Sequence, residues 1–343
     1  MTKLYARGEK IRKFILERVG KHPGDIAKVT AQEFNISRQA ANRHLKRLVD
    51  EESLVIEGKT RSRKYKLRKL LDWSETFHIP SGLEEDVIWR DHLTQRLGIM
   101  PDNVDEIWHY CFTEMFNNAI DHSGGNVIYV HVSVSANDTQ IALYDDGIGI
   151  FKKIQQELDL LDERHSVLEL AKGKLTTDPT RHTGEGIFFT SRMLDDFQIL
   201  SGATYFSHTF GETEDWILER DKFSSGTTVL MKLNNHTSRK IGTVFKKFMS
   251  GDDFGFNKTV VPVKLAQYGD DKLVSRSQAK RLISRFERFK IVILDFSDVD
   301  GIGQAFADEI FRVFSNRFPE IQLTPVNTNP ETDKMIERAR SNS

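Results

Sequence analysis

Residues 113–122, TEMFNNAIDH, and residues 145–149, DDGIG, decide how this chain is read. On a helix, Glu114 and Asn118 lie four apart and share a face, as do Asn117 and Asp121. Met115, Phe116, Ala119 and Ile120 are then left to fill a core. A helix with one apolar side and a Glu/Asn/Asn/Asp side suits a hydrated divalent cation, which takes oxygen ligands and keeps several waters. The second motif, Asp145-x-Gly147-x-Gly149, ends the alternating run QIALYDDG. An acidic side chain at a strand end accepts a hydrogen bond from an exocyclic amine, and the glycines let backbone approach a flat ring.

Two further elements follow. Gly184-Glu185-Gly186 opens the apolar run IFFTSRML. Glycines at a helix start expose N–H groups to phosphate, and the helix dipole favours the anion. Gly226-Thr227-Thr228 enters the strand-like VLMKL. Singly these signals are weak; their order and spacing together are specific.

The four elements resemble the N-box, G1 box, G2 box and terminal GT motif of the GHKL ATP-binding family (gyrase, Hsp90, histidine kinases, MutL and anti-sigma-factor kinases), over residues 75–236. The resemblance implies a two-layer α/β sandwich that binds ATP and Mg2+. It implies that Asn118 holds Mg2+ against the triphosphate and that Asp145 receives the adenine amine, with Thr227 in support. Glu114 would orient or deprotonate the attacking nucleophile. Asn117, Asp121, Gly147, Gly149, Thr183, Gly184, Glu185 and Gly186 complete the implied nucleotide set. The stretch NAIDHS is most similar to the anti-sigma kinases, which places His122 in a site or packing role. Residues 150–183 would form the lid over the phosphates, with TTDPTRHT mobile. Arg181 and His182 read equally as phosphate contacts or as exposed loop.

The chain has 343 residues, enough for two or three domains, and a formal net charge of −1. That near-neutrality hides an asymmetry: residues 1–72 carry 19 Lys/Arg against 9 Asp/Glu, so the rest is acidic. A basic module on an acidic body points to a polyanion-facing arm. The single cysteine, Cys111, excludes an intramolecular disulfide and reads as a buried small hydrophobe. No apolar run approaches the ~18 residues of a membrane span. The N-terminus lacks the apolar core of a secretory signal. A soluble cytoplasmic protein is expected.

In residues 8–20, Ile11, Phe14, Ile15, Leu16 and Val19 form a helical stripe closed by Gly20 and Pro23. A short helix fits 25–34. In NISRQAANRHLKRLVDE, Ser37 is the expected N-cap, Ala40, Ala41, Leu45 and Leu48 pack inward, and Arg38, Gln39, Asn42, Arg43 and Lys46 face out. LVIEG and SRKYKL then read as two strands around a basic loop. Three helices and a basic hairpin resemble a winged helix-turn-helix, here given the bounds 1–72. The resemblance implies a recognition helix at Arg38–Val49 and a wing at the hairpin. Gln39 and Asn42 suit adenine edges and Arg38 or Arg43 guanine; Lys46, Arg61, Arg63 and Lys64 suit phosphate. Such modules also serve as protein docks. They often bind paired half-sites as homodimers, although no dimer interface is legible here.

The expected fold class is therefore multidomain α/β (α+β): winged helix (1–72), GHKL sandwich (73–236), and a third unit (237–343). In that unit a strand at 259–268, a helix at 277–288 and KIVILDFSDVDGIGQAFADEIFRVF, a buried strand turning into a helix, resemble a STAS-like domain. Such domains are partners of anti-sigma kinases, which phosphorylate a Ser or Thr at that turn. Here Asp300 occupies the place, as a turn cap or as a permanent mimic of the phosphorylated state. The expected function is an ATP-binding, nucleotide-switched DNA-binding regulator with slow or no hydrolysis. The alternatives are an anti-sigma-type Ser/Thr protein kinase and a GHKL ATPase gate. A protein partner is expected at the STAS-like domain.

Overall fold

The computed structural model describes residues 2–59, 62–175, 184–211, 215–250, 253–267 and 272–341. It is a mixed α/β chain with several sheets. Helices α1 (Thr2–Arg18), α2 (Ile26–Glu33) and α3 (Arg38–Asp50) precede an antiparallel hairpin, β1 (Leu54–Glu57) and β2 (Lys64–Leu67). Ser37 Oγ accepts the Ala40 N–H at 3.1 Å, which starts α3 where the sequence places its cap. Ile11, Ile15, Val19, Ile26, Leu45, Leu48 and Leu54 form an apolar core of their own.

Strand β3 (Lys69–His78) begins one residue after β2. The sequence reading places no strand there. The structure makes it the edge of the larger sheet, because Leu71, Trp73 and Phe77 alternate toward the core while the intervening residues face out. A broken helical run follows: α4 (Glu85–Ile88), a π-helical turn at Trp89–Thr94, and α5 (Gln95–Leu97). The long α6 (Asp102–His122) buries Val104, Ile107, Trp108, Cys111, Phe112, Met115, Phe116 and Ala119, a three-four periodicity.

Next come β4 (Val127–Ser135), β5 (Asp138–Asp145), α7 (Ile150–Glu157), α8 (Glu163–Lys172), α9 (Gly186–Met193), β6 (Asp196–Thr209) and β7 (Asp215–Asn234). The five strands pair antiparallel in the order β3-β4-β5-β7-β6. Ile128, Val130 and Val132 of β4, Ile141 and Leu143 of β5, and Val229, Met231 and Leu233 of β7 are buried on one face. Helix α6 packs against this face. Each of these buried side chains contributes about 1.5–3 kcal/mol. β6 and β7 pair along most of their length. Both are continuous, because Gly202, at φ +60°, absorbs an irregularity without ending the pairing.

The C-terminal third comprises α10 (Ile241–Phe248), β8 (Met249–Ser250), β9 (Asp253–Phe256), β10 (Lys258–Pro262), α11 (Arg276–Ile283), β11 (Ile291–Asp295), α12 (Gln304–Asp308), α13 (Ser315–Arg317), β12 (Gln322–Val326) and α14 (Pro330–Ser341). β10, β11 and β12 form a parallel sheet with helical crossovers. Two expectations change here. The strand at 259–268 turns into a 3-10 helix at Val263, and the helix at 277–288 ends at Ile283. Its start is set by a capping box between Ser275 and Gln278.

One apolar cluster runs from Phe77 to Ala339, so the five-stranded and parallel sheets share a core. Phe256 joins them, with ring centroids 4.7 Å from Phe188 and 5.5 Å from Phe289. Among the described residues no helix is long and apolar enough to cross a membrane.

Candidate functional site

The apolar stripe of β5 ends on a carboxylate. Asp145 pairs in register with Ile128 on one side and Thr227 on the other, so it points to the helix-covered face. It is 6% exposed. Its Oδ1 accepts the N–H groups of Gly147 at 3.0 Å and Thr227 at 3.2 Å. Burial pushes the Asp145 carboxyl above the usual range, and those two amides oppose the shift. Thr227 Oγ1 accepts the Ile150 N–H at 3.0 Å, tying the start of α7 to β7. Gly226, at φ +68°, is forced: a Cβ there would stand 1.8 Å from the Asp145 carbonyl oxygen. The neighbouring Asp146 has a structural task, accepting the Asn126 and Val127 N–H groups at 2.7 and 3.0 Å.

Above Asp145 opens a cavity of ≈ 970 Å³, counting the part that is open to solvent. Asn118, Met115, Ala119 and His122 line it from α6, Ile150, Lys153 and Ile154 from α7, and Thr227 and Val229 from β7. Leu175, Gly184 and Ile187 also line it. The Leu175 N–H donates to the Gly184 carbonyl at 3.0 Å, pinning together the two ends of the segment between them. This is an apolar cleft with a few convergent polar groups, the usual form of a small-molecule site.

Of the residues expected at the site, Asn118, Asp145, Gly184 and Thr227 line this cavity. Gly147 and Gly149 buttress its floor: a Cβ on Gly147 would stand 2.2 Å from the Ser123 carbonyl oxygen, and Gly149 has φ +90°. Glu114, Asn117 and Asp121 are not among the lining residues. Instead, Glu114 lies against Gly186, where a Cβ would stand 1.9 Å from Glu114 Oε2. Glu185 is half-buried, and burial raises its carboxyl against the pull of Lys174. Thr183, with Arg181 and His182, lies outside the described residues. The apolar expectation for Met115 and Ala119 holds, and they also form cavity wall.

Lys153 escaped the sequence reading. Its Nζ donates to the His122 carbonyl at 2.9 Å and brings positive charge to the wall. Its spacing from the Gly149 cap, one turn into α7, is the signal that places it there. Cys111 is fully buried, and burial pushes its thiol up, as expected of a core cysteine. No cluster of three His, Cys, Asp or Glu side chains placed to hold a metal occurs among the described residues.

On α3, Arg38, Gln39, Asn42, Arg43 and Lys46 are all exposed, opposite buried Ala41, Leu45 and Leu48. Arg63 and Lys64 are exposed on the hairpin, while Arg61 lies outside the described residues. Positive charge is dense here: burial lowers the pKa of His44, and Arg12, Arg43 and Arg47 lower it further.

At the turn after β11, Asp300 is exposed and Gly303 holds the N-cap position of α12, so Asp300 does not cap that helix. Asn329 Nδ2 fixes the turn instead, donating to the Val299 and Asp300 carbonyls, both at 2.9 Å. Asp308 pairs with Arg312 at 2.5 and 2.6 Å, which holds its carboxyl below the usual range.

Residues 278–333 match the family model of a STAS-like domain of unknown function (DUF4325). The C-terminal segment that carries β11 and β12 is thus STAS-like. No curated protein matches the chain.

Proposed function

We propose that this protein binds ATP with Mg2+ in the cavity above Asp145 and uses the bound nucleotide to set the DNA affinity of its basic N-terminal module. The observation that carries the reading is the cavity itself, framed by Asn118, Asp145 and Thr227. They are the residues at which the resemblance to the GHKL family implies nucleotide contacts. Asp145 Oδ1 is already held by two amides, so the carboxylate is oriented before any ligand arrives and can accept an adenine amine. Asn118 offers one oxygen to the metal. That fits Mg2+, which takes few protein ligands and completes its shell with phosphate and water.

The N-terminal module supports the DNA half of the proposal. Its three helices and hairpin resemble a winged helix, and α3 presents Arg38, Gln39, Asn42, Arg43 and Lys46 on one exposed face. These side chains are suited to base edges, with Arg63 and Lys64 suited to phosphate. The STAS-like domain supplies a surface for a protein partner. Slow or absent hydrolysis is part of the proposal, because Glu114 lies against Gly186 rather than in the cavity wall.

The test selects bound fragments from random DNA with Mg-ATP, with Mg-ADP and without nucleotide, for the wild type and Asn118→Ala. A sequence motif whose recovery changes with nucleotide in the wild type alone is expected. Recovery that is indifferent to nucleotide in both proteins sinks the switch.

A further inference from the structure

Part of the cavity lining is tied to the STAS-like domain through charged side chains that are buried or partly buried. α8 ends at Lys172, which is 1% exposed. An ammonium has three donors. Lys172 places them on Glu169 Oε1 at 2.6 Å, the Arg281 carbonyl at 3.1 Å and the Ser284 carbonyl at 2.9 Å. The latter two belong to the end of α11, where the last carbonyls have no partner inside their own helix. A cation is also favoured there by the helix dipole. In return, the Lys172 carbonyl accepts Thr259 Oγ1 at 2.6 Å.

The next residues continue the attachment. At Gly173, φ is +79° and a Cβ would stand 2.7 Å from the Phe256 ring. The Lys174 carbonyl accepts Arg285 Nη2 at 2.7 Å and Arg288 Nη1 at 3.0 Å. Lys174 Nζ donates to the Arg288 carbonyl at 2.9 Å. Arg285, itself at φ +66°, also faces Glu169 at 3.5 Å. Leu175 comes next, and it lines the cavity. Four consecutive residues therefore lead from the STAS-like domain to the cavity lining.

We propose that Arg285, together with Lys172, is a positioning residue of the nucleotide site: the STAS-like domain fixes the 172–175 stem, and triphosphate affinity depends on it. The inference rests on the ATP reading above and names the contact through which the third domain acts on that site. The geometry divides the ligand in two. Adenine would be met at Asp145 and Thr227, at the sheet end, while the stem ends at Leu175, whose N–H holds the Gly184 carbonyl at 3.0 Å beside the glycine-opened start of α9, where exposed N–H groups would meet phosphate. Loosening the stem should therefore weaken triphosphate binding and spare the base. The coupling runs in both directions, because linkage between two sites is reciprocal. Bound Mg-ATP should then slow amide exchange at 284–289 in the STAS-like domain.

The test compares wild type, Arg285→Ala and Arg285→Lys by binding of Mg-ATP and of adenosine, with hydrogen exchange at 172–175 and 284–289. We expect Arg285→Ala to weaken Mg-ATP roughly ten-fold, to leave adenosine unchanged, and to speed exchange in both segments. Arg285→Lys should fall between, since a single ammonium does not reproduce the guanidinium fork. Unchanged Mg-ATP affinity in Arg285→Ala overturns the inference. So does an equal loss for adenosine, which would mark a general loosening. Should Arg285→Ala fail to fold, wild-type exchange decides: no change at 284–289 on adding Mg-ATP overturns it. A wild type that binds neither ligand removes the ATP reading itself, and the inference with it.

Discussion

Asp145 and Asp146 are adjacent carboxylates with different work. The amides of Val127 and Asn126 stabilise the ionised Asp146 carboxyl and hold it below the usual range. Asp145 is buried, and its folded pKa lies above the usual value. A raised carboxyl takes up a proton more readily when folded, so its ionisation weakens the fold as pH rises through that window. Asp145→Asn should therefore hold or raise thermal stability at neutral pH, since an amide oxygen still accepts from Gly147 and Thr227. The same substitution places an N–H2 where an adenine amine would donate. ATP binding should fall roughly ten- to hundred-fold, the cost of an unmade buried hydrogen bond. Calorimetric melting and ATP titration of the one variant check both halves; a loss of stability that tracks the loss of binding would contradict the assignment. The GHKL resemblance named Asn118, Asp145 and Thr227 together from the sequence, and the structure brings the three to one cavity. Lys153 was not legible there, because what matters is its reach to the His122 carbonyl, 31 residues away.

Among the elements, α3 follows its local signals most closely. Ser37 caps it, Ala41, Leu45 and Leu48 face the core, and the intervening basic and amide side chains face out. Removing the cap leaves the Ala40 N–H without its side-chain acceptor. Ser37→Ala should cost about 1 kcal/mol, read as a lower melting temperature of the N-terminal unit and a parallel loss of DNA retention. An unchanged melt would mean that the cap does not limit that unit. α11 shows the opposite case. Its start obeys the Ser275/Gln278 capping box, but its amphipathic pattern continues past the point where the helix stops. The end is set by Lys172, from an element more than a hundred residues earlier, which takes the Arg281 and Ser284 carbonyls. β3 was missed for a similar reason: strand formation there depends on an edge of the sheet to pair with.

At the scale of the whole molecule, two apolar cores are separate. One holds α1–α3 and the hairpin, and the other runs from Phe77 to Ala339. Separate cores favour separate cooperative units. Thermal unfolding should show two transitions, with Ser37→Ala moving the smaller and Arg285→Ala the larger; a single transition common to all probes would contradict this. The amino-acid sequence by itself determined where the basic face lies, which carboxylate and amide line the cavity, and most helices and strands, though not β3 or the end of α11. Those follow from side-chain period, caps and glycine positions, which act over a few residues. Only the tertiary structure decided that the stem beside the cavity is seated on the STAS-like domain. Lys172, Glu169 and Arg285 are charged residues that read as surface in a linear pattern. They pack together because Glu169 faces both cations, and backbone carbonyls accept further N–H groups from both.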